Sequence, residues 1–273
     1  MELFASYTGG DFLVFYCIML VTCIFAGLWI PANLRPEGRR GEVEDMEEVA
    51  VLTGGADRLS VAVLSSLFAK GALDVDEKKR LAVRQTGVAE NASERAILAK
   101  VGGFRAAEAG RSIKAQAAAV ETRLIRRGLM MDEGERWKLR ALSAAPYAAL
   151  IAIGLYRQQA GSAIGEPTGF LVALIIITLV LGLLRFVTGN PRTMAGNEIV
   201  RSLEQNSSRL RRAPQANEAG YAVAIFGTGV LVGTPWEPVH AARQAGTGGD
   251  GGASSDSGDG GSGCGGGCGG CGG

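Results

Sequence analysis

The chain has 273 residues, 47% of them hydrophobic, and its 28 Lys and Arg nearly cancel 27 Asp and Glu to leave a formal charge of +1. That balance gives no global drive toward nucleic acid, and a single His excludes a multi-His metal site and confines any Ser-His-Asp chemistry to His240. Of the five cysteines, Cys17 and Cys23 lie in an apolar stretch and Cys264, Cys268 and Cys271 near the end, so no disulfide framework supports the charged middle.

Residues 1–11 hold Glu2 and Asp11 and no Lys or Arg, the reverse of a secretory leader, and read as an external N-terminus. Residues 12–30 are uncharged and as a helix would rise roughly 28 Å, enough to cross the hydrocarbon core. Arg35, Arg39 and Arg40 follow at once, which by the positive-inside rule puts the cytoplasm after this first span.

Residues 36–140 predict a cytoplasmic domain of two tandem helix-hairpin repeats, over about 42–84 and 92–140. In the first, an acid-rich helix begins near Glu42 and stops at Gly54-Gly55. A second helix then runs from Ala56 to Lys70, with Leu59, Val63 and Leu67 on one face. Leu73 and Val75, a polar turn at residues 76–79, then Leu81 and Val83 predict a hairpin. Val63, Leu67, Lys70 and Gly71 recur at constant offset as Val120, Leu124, Arg127 and Gly128. The second copy predicts a helix with Ile113, Ala117, Val120 and Leu124 on one face, then a hairpin from Leu129 around residues 132–135 to Trp137 and Leu139. Ser93 is expected to cap a helix over residues 94–101.

These units are similar to winged-helix modules. A DNA reading would turn on Arg58, Ser60, Ser65, Ser66 and Lys70 in one copy and Arg111, Lys114, Gln116, Arg123, Arg126 and Arg127 in the other. Neighbouring acids nearly cancel that charge, which favours a solvated face near anionic headgroups over nucleic acid.

Residues 141–156 predict a second span. Ala144, Ala148 and Ala152 give it a small-residue face for packing on another helix, and Arg157 is expected to reach toward water at its far end. Arg136, Lys138 and Arg140 mark its cytoplasmic side. An external loop at residues 157–169 leads to a third span at 170–187, with Arg185 at its end and Arg192 after it. Residues 190–240 predict a juxtamembrane region. In it, an interfacial helix over 197–212 has Ile199, Leu203 and Leu210 on one side, with Arg201, Arg209, Arg211 and Arg212 near the headgroups. An apolar segment at 221–233 is short for a span and reads as core or interfacial. Residues 235–238 make a rigid turn, and His240 is expected in an exposed loop.

From residue 246 the Gly-, Ser- and Cys-rich tail cannot bury a core and is expected to be disordered. Cys264, Cys268 and Cys271 have the three-then-two spacing of radical-SAM iron-sulfur ligands, but no barrel domain exists to surround a cluster. Three thiolates on glycine can wrap Zn or Cu(I), against a large ordering cost. Covalent modification or attachment through the thiols is the other reading.

Four features carry a family resemblance. They are the segment at residues 52–58 leading into Ala-Val-Leu-Ser-Ser-Leu-Phe-Ala-Lys-Gly71, the paired spans, Pro191-Arg-Thr-Met-Ala-Gly196, and the terminal Cys-Gly repeat. On these the chain resembles a family of uncharacterised bacterial membrane proteins with a Cys-Gly-rich C-terminus. The resemblance implies a cytoplasmic membrane location and brings no catalytic residues.

The expectation is a mainly α, three-span helical membrane protein with a small cytoplasmic α+β domain of winged-helix-like repeats and a disordered tail. Its predicted role is non-enzymatic, since no carboxylate is expected in an apolar setting that would shift its pKa. It would be a scaffold or sensor binding a protein partner, with a thiol tail or membrane-tethered DNA regulation as the alternatives.

Overall fold

The structure is a computed structural model and describes residues 9–39, 41–43, 45–76, 80–100, 102–164 and 169–247. In chain order its helices are α1 (Gly9–Asn33), α2 (Met46–Ala69), α3 (Ala92–Leu98), α4 (Ala106–Ser112), α5 (Lys114–Arg126), α6 (Glu133–Ile164), α7 (Gly169–Val187), α8 (Met194–Asn206), α9 (Ser208–Arg212), α10 (Ala219–Phe226) and α11 (Glu237–Thr247). The strands β1 (Leu73–Val75) and β2 (Leu81–Val83) form the only sheet among the described residues.

Four of these helices, α1, α2, α6 and α7, are long and apolar enough to cross a bilayer, and the protein is a membrane protein. They differ in what their apolar side chains meet. Only 17–22% of the most apolar window is buried in α1, α6 and α7, against 56% in α2. Phe25, Trp29, Ile177 and Leu183 point outward from the bundle, as side chains facing lipid must.

In the bundle, α6 packs against both α1 and α7. Its inner face is Ser143, Tyr147, Leu150, Gly154 and Arg157, not the predicted alanine stripe: Ala148 and Ala152 are exposed and Ala144 half-buried. The small residues that allow close approach are glycines. A Cβ on Gly154 would stand 2.9 Å from both Ile175 and Tyr16, and Tyr147 fits between Gly27 and Gly182 of the two neighbouring helices. Tyr16 and Thr178 share a buried hydroxyl hydrogen bond of 3.2 Å. Arg157 is buried against the Phe12 ring, 5.8 Å from its centroid, where the sequence suggested a side chain reaching water.

Helix α6 begins eight residues before the predicted second span and absorbs most of the predicted external loop. The same stretch overturns the second hairpin. The Asp132 N–H donates to Glu135 Oε2 (3.3 Å) and the Gly134 N–H to Asp132 Oδ2 (3.4 Å), a reciprocal cap that starts a helix where a turn was expected. Glu133 and Glu135 then sit at the positive end of the helix dipole. Trp137 stands edge-on to Phe186 of α7, ring centroids 5.9 Å apart.

The domain is built around α2. Its predicted break is a kink: Gly54 and Gly55 are non-helical and Gly55 has φ +68°, which only glycine adopts without strain. Leu59, Val63, Leu64 and Leu67 are fully buried. Helix α10 lies along α2, with Gly220 against Met46, Ser66 and the Ala62 carbonyl, so the 221–233 segment is domain core. The predicted hairpin of the first repeat forms, pairing Leu73 with Val83 and Val75 with Leu81.

The two repeats agree at their helix ends. Gly71 (φ +70°) and Gly128 (φ +74°) each close a helix, with 6→1 bonds from Ala72 N–H to Leu67 O (2.9 Å) and from Leu129 N–H to Leu124 O (3.0 Å). Beyond that point they diverge. Asn91, not Ser93, caps α3, accepting the Glu94 N–H at 2.8 Å. Helices α8 and α9 turn Val200 and Leu210 into the domain core with Ile199 and Leu203 packed against it, so their apolar side does not face lipid. Thr193 caps α8.

Candidate functional site

The chain leaves the bundle three times toward the domain, after α1, before α6 and after α7, and these three segments are bonded to one another. Residues 128–131 and 191–193 pair like short antiparallel strands, with Met131 N–H donating to Pro191 O (2.8 Å) and Thr193 N–H to Leu129 O (3.2 Å). The segment after α1 joins them: Met194 N–H donates to Pro36 O and Ala195 N–H to Glu37 O, both 2.9 Å, and Arg39 N–H to Gly128 O at 3.2 Å. Gly38 has φ +74°, and the Gly128 carbonyl and Thr193 side chain occupy the place of a Cβ there.

This junction holds the kink of α2. A kink frees carbonyls that a straight helix would bond. Arg192 supplies the missing donors, Nε to Leu52 O at 2.6 Å and Nη2 to Thr53 O. Thr53 Oγ1 in turn donates to Ala224 O of α10 at 2.5 Å.

Between the junction and the bundle lies a cavity of about 90 Å³, lined by Arg35, Arg136, Arg140 and Arg185 and by no carboxylate. Each arginine comes from a different helix end or turn of helix. Arg185 Nε donates to Gly27 O (2.7 Å), Arg136 Nη2 to Glu121 Oε1 (2.8 Å) and Arg140 Nη2 to Gly189 O (3.4 Å). Arg35 Nη1, Arg136 Nε and Arg140 Nε are buried with no hydrogen-bond partner among the described residues. Burial, and then the nearby Arg185 charge, push the Arg35 guanidinium below its ordinary pKa. From the sequence alone these arginines serve only to orient the spans. The available signal was their position, each within a helical turn or two of a span end on the same side.

Elsewhere the predicted functional residues are spent on structure. In the first copy Ser60 and Ser65 are buried, bonded to the Asp57 and Val61 carbonyls, and Lys70 pairs with Glu90 (3.0 Å) and the buried Glu94 (2.9 Å). Ser66 donates to Glu94, and Arg58 Nη1 to Val223 O at 3.5 Å. In the second copy Arg123 and Arg127 pair with the buried Glu48 of α2, at 3.5 and 2.6 Å, while Gln116 is half-buried. Arg111, Lys114 and Arg126 remain exposed.

His240 is not in a loop. It is half-buried on α11, with Nδ1 2.9 Å from Thr228 Oγ1 and Nε2 2.9 Å from Gln244 Nε2. Burial raises the Glu47 carboxyl above its usual range, with the Ser93 hydroxyl opposing. Among the described residues no group of His, Cys, Asp or Glu is placed to hold a metal ion. Cys264, Cys268 and Cys271, the proposed Zn or Cu(I) ligands, lie outside the described residues. Compared with known proteins, the chain matches no family model, no curated sequence and no solved structure.

Proposed function

We propose that the chain is a membrane-anchored scaffold or sensor in the bacterial cytoplasmic membrane. Helices α1, α6 and α7 cross the bilayer, the N-terminus lies outside, and the domain stands on the cytoplasmic face and binds a protein partner there. The span count is supported by the outward apolar side chains of these three helices and the buried ones of α2. The orientation is supported by Arg35, Arg136, Lys138, Arg140, Arg185 and Arg192, all at the domain-side ends. The family resemblance, read from sequence, supports the bacterial setting.

The observation that carries the functional reading is the bond pair from Arg192 to Leu52 and Thr53. A domain that was only tethered would hang from loops. Here the exit of α7 is plugged into the kink of the domain's central helix, so a shift among the spans moves α2, and a partner held by the domain biases the spans.

The test is affinity purification of cross-linked full-length chain from detergent extract. A protein partner should co-purify and be lost when the exposed Lys114 and Arg126 are both replaced by Glu. Recovery of no partner, or a partner indifferent to the domain surface, counts against the reading. Duplex DNA retained in a strongly salt-dependent manner would instead favour the tethered-regulator alternative.

A further inference from the structure

The arginine cavity holds more positive charge than the protein itself answers. Four guanidiniums line it, and among the described residues the one carboxylate bonded to any of them is Glu121, on Arg136. Arginines that merely flank a span extend into water or among headgroups and satisfy their donors there. These turn inward in part: Arg35, Arg136, Arg140 and Arg185 are half-buried, and one nitrogen on each of the first three is out of reach of solvent with no partner among the described residues. What converges on the cavity is four guanidiniums with no carboxylate among its lining residues, and charge of one sign gathered round one space calls for an anion.

We propose that this cavity binds a phosphate group at the level of the domain-side headgroups, gripped by Arg35 and Arg140 with Arg136 and Arg185 closing the sides. Guanidinium donors arranged around a small space match a tetrahedral oxyanion, which offers several acceptors in different directions. The volume, about 90 Å³, far exceeds the roughly 10–15 Å³ that one water needs. Ser143 and Thr188, also on the wall, have their hydroxyl protons committed to the Leu139 and Leu184 carbonyls (both 2.7 Å), so the charged donors dominate recognition. Basic pockets between spans at this depth suit anionic lipid headgroups. A free phosphate offers the same chemistry, and experiment separates the two sources.

The site rests on the span reading only in placing α1, α6 and α7 in the bilayer, and it stands or falls independently of any protein partner. Arg136 and Arg185 also bond Glu121 and Gly27, so the informative variants are Arg35→Gln and Arg140→Gln, with Arg35→Lys retaining charge. Full-length chain in neutral detergent is titrated with phosphatidylglycerol, phosphatidylcholine or inorganic phosphate at constant ionic strength, and thermal unfolding is followed. The readout is the ligand-induced shift for each variant relative to its own baseline, so a lower starting stability does not obscure it.

The expected result is protection by phosphatidylglycerol and none by phosphatidylcholine. The half-saturating concentration should rise roughly ten- to a hundredfold in each Gln variant and less in Arg35→Lys. Protection by inorganic phosphate alone, with the same dependence on the arginines, assigns the site to a soluble phosphate. Absence of protection by either anion, or protection unchanged in the Arg35→Gln/Arg140→Gln double variant, overturns the proposal.

Discussion

Arg185 Nε donates to the carbonyl of Gly27 at 2.7 Å. That carbonyl would ordinarily accept from the residue four positions on, which is Pro31, and proline has no N–H to give. One helix therefore supplies across the bundle the donor its neighbour lacks, and a charged side chain in the last turn of α7 is fixed by a backbone defect of α1.

Replacing Arg185 with Leu should cost about 1.5–3 kcal/mol, the usual range for a hydrogen bond to a charged group. Pro31→Ala returns an N–H to α1 and should recover part of that loss in the Arg185→Leu background. A double-mutant cycle on unfolding in mixed micelles measures the coupling, and additive effects would show that the two residues act separately.

Gly154 is the contact point of the three bundle helices. A Cβ there meets Tyr16 and Ile175 at 2.9 Å, both held by packing. Gly154→Val should destabilise the bundle by about 1–3 kcal/mol, whereas Ala152→Val on the outward face should be close to neutral. Comparing the unfolding midpoints of the two variants tests whether the inner face is correctly assigned.

Arg192→Leu leaves the Leu52 and Thr53 carbonyls unpaired at the kink, at about 1–3 kcal/mol for each buried group. The effect should be regional. Hydrogen exchange should rise around residues 50–56 and 190–196 while α7 keeps its protection, and uniform protection across the junction would argue against a pin at this position.

Burial raises the Glu47 carboxyl in the folded chain above its unfolded value. The folded state then holds the proton more tightly, so the stability this contributes is fully present below the unfolded pKa and is lost as pH rises from there through the folded pKa. Glu47→Gln should stabilise the domain at neutral pH, with the benefit shrinking toward the ordinary carboxylate range. Unfolding midpoints of both proteins against pH test this, and a benefit that grew on acidification would contradict the sign.

Because residues 219–247 fold back into the domain, the tail starts from the domain side. Cys264, Cys268 and Cys271 should resist a membrane-impermeant maleimide in intact cells and react after permeabilisation. Labelling in intact cells would reverse the proposed orientation.

Much of the architecture can be read from local chemistry. Residues 12–30 and 170–187 fall inside α1 and α7 because apolar runs of that length, uncharged in the first and with Arg185 alone near the end of the second, admit little else. The hairpin at 73–83 and the helix ends at Gly71 and Gly128 were legible because alternation and left-handed glycine are local signals. Other features depend on partners distant in sequence. Asp132 to Glu135 can make a turn or a helix cap, and the contact of Trp137 with Phe186 is invisible before α7 is placed. The alanine stripe of α6 misled because its real partners are Gly27 and Gly182, on other helices. The arginine cavity escaped because orientation rules add charges along the chain without asking which ones converge.

The pairing of α10 with α2 means that the domain is assembled from two stretches of chain separated by the α6–α7 hairpin. A nascent chain that has emerged only as far as residue 131 therefore carries α2 with its greasy flank bare, and nothing yet made can cover it. Closure awaits both the completion of α6 and α7 and the arrival of residues 219–226. A chain stalled or misinserted between those events keeps an adhesive surface on display, so the architecture makes completed insertion a precondition for a quiet, protease-resistant domain.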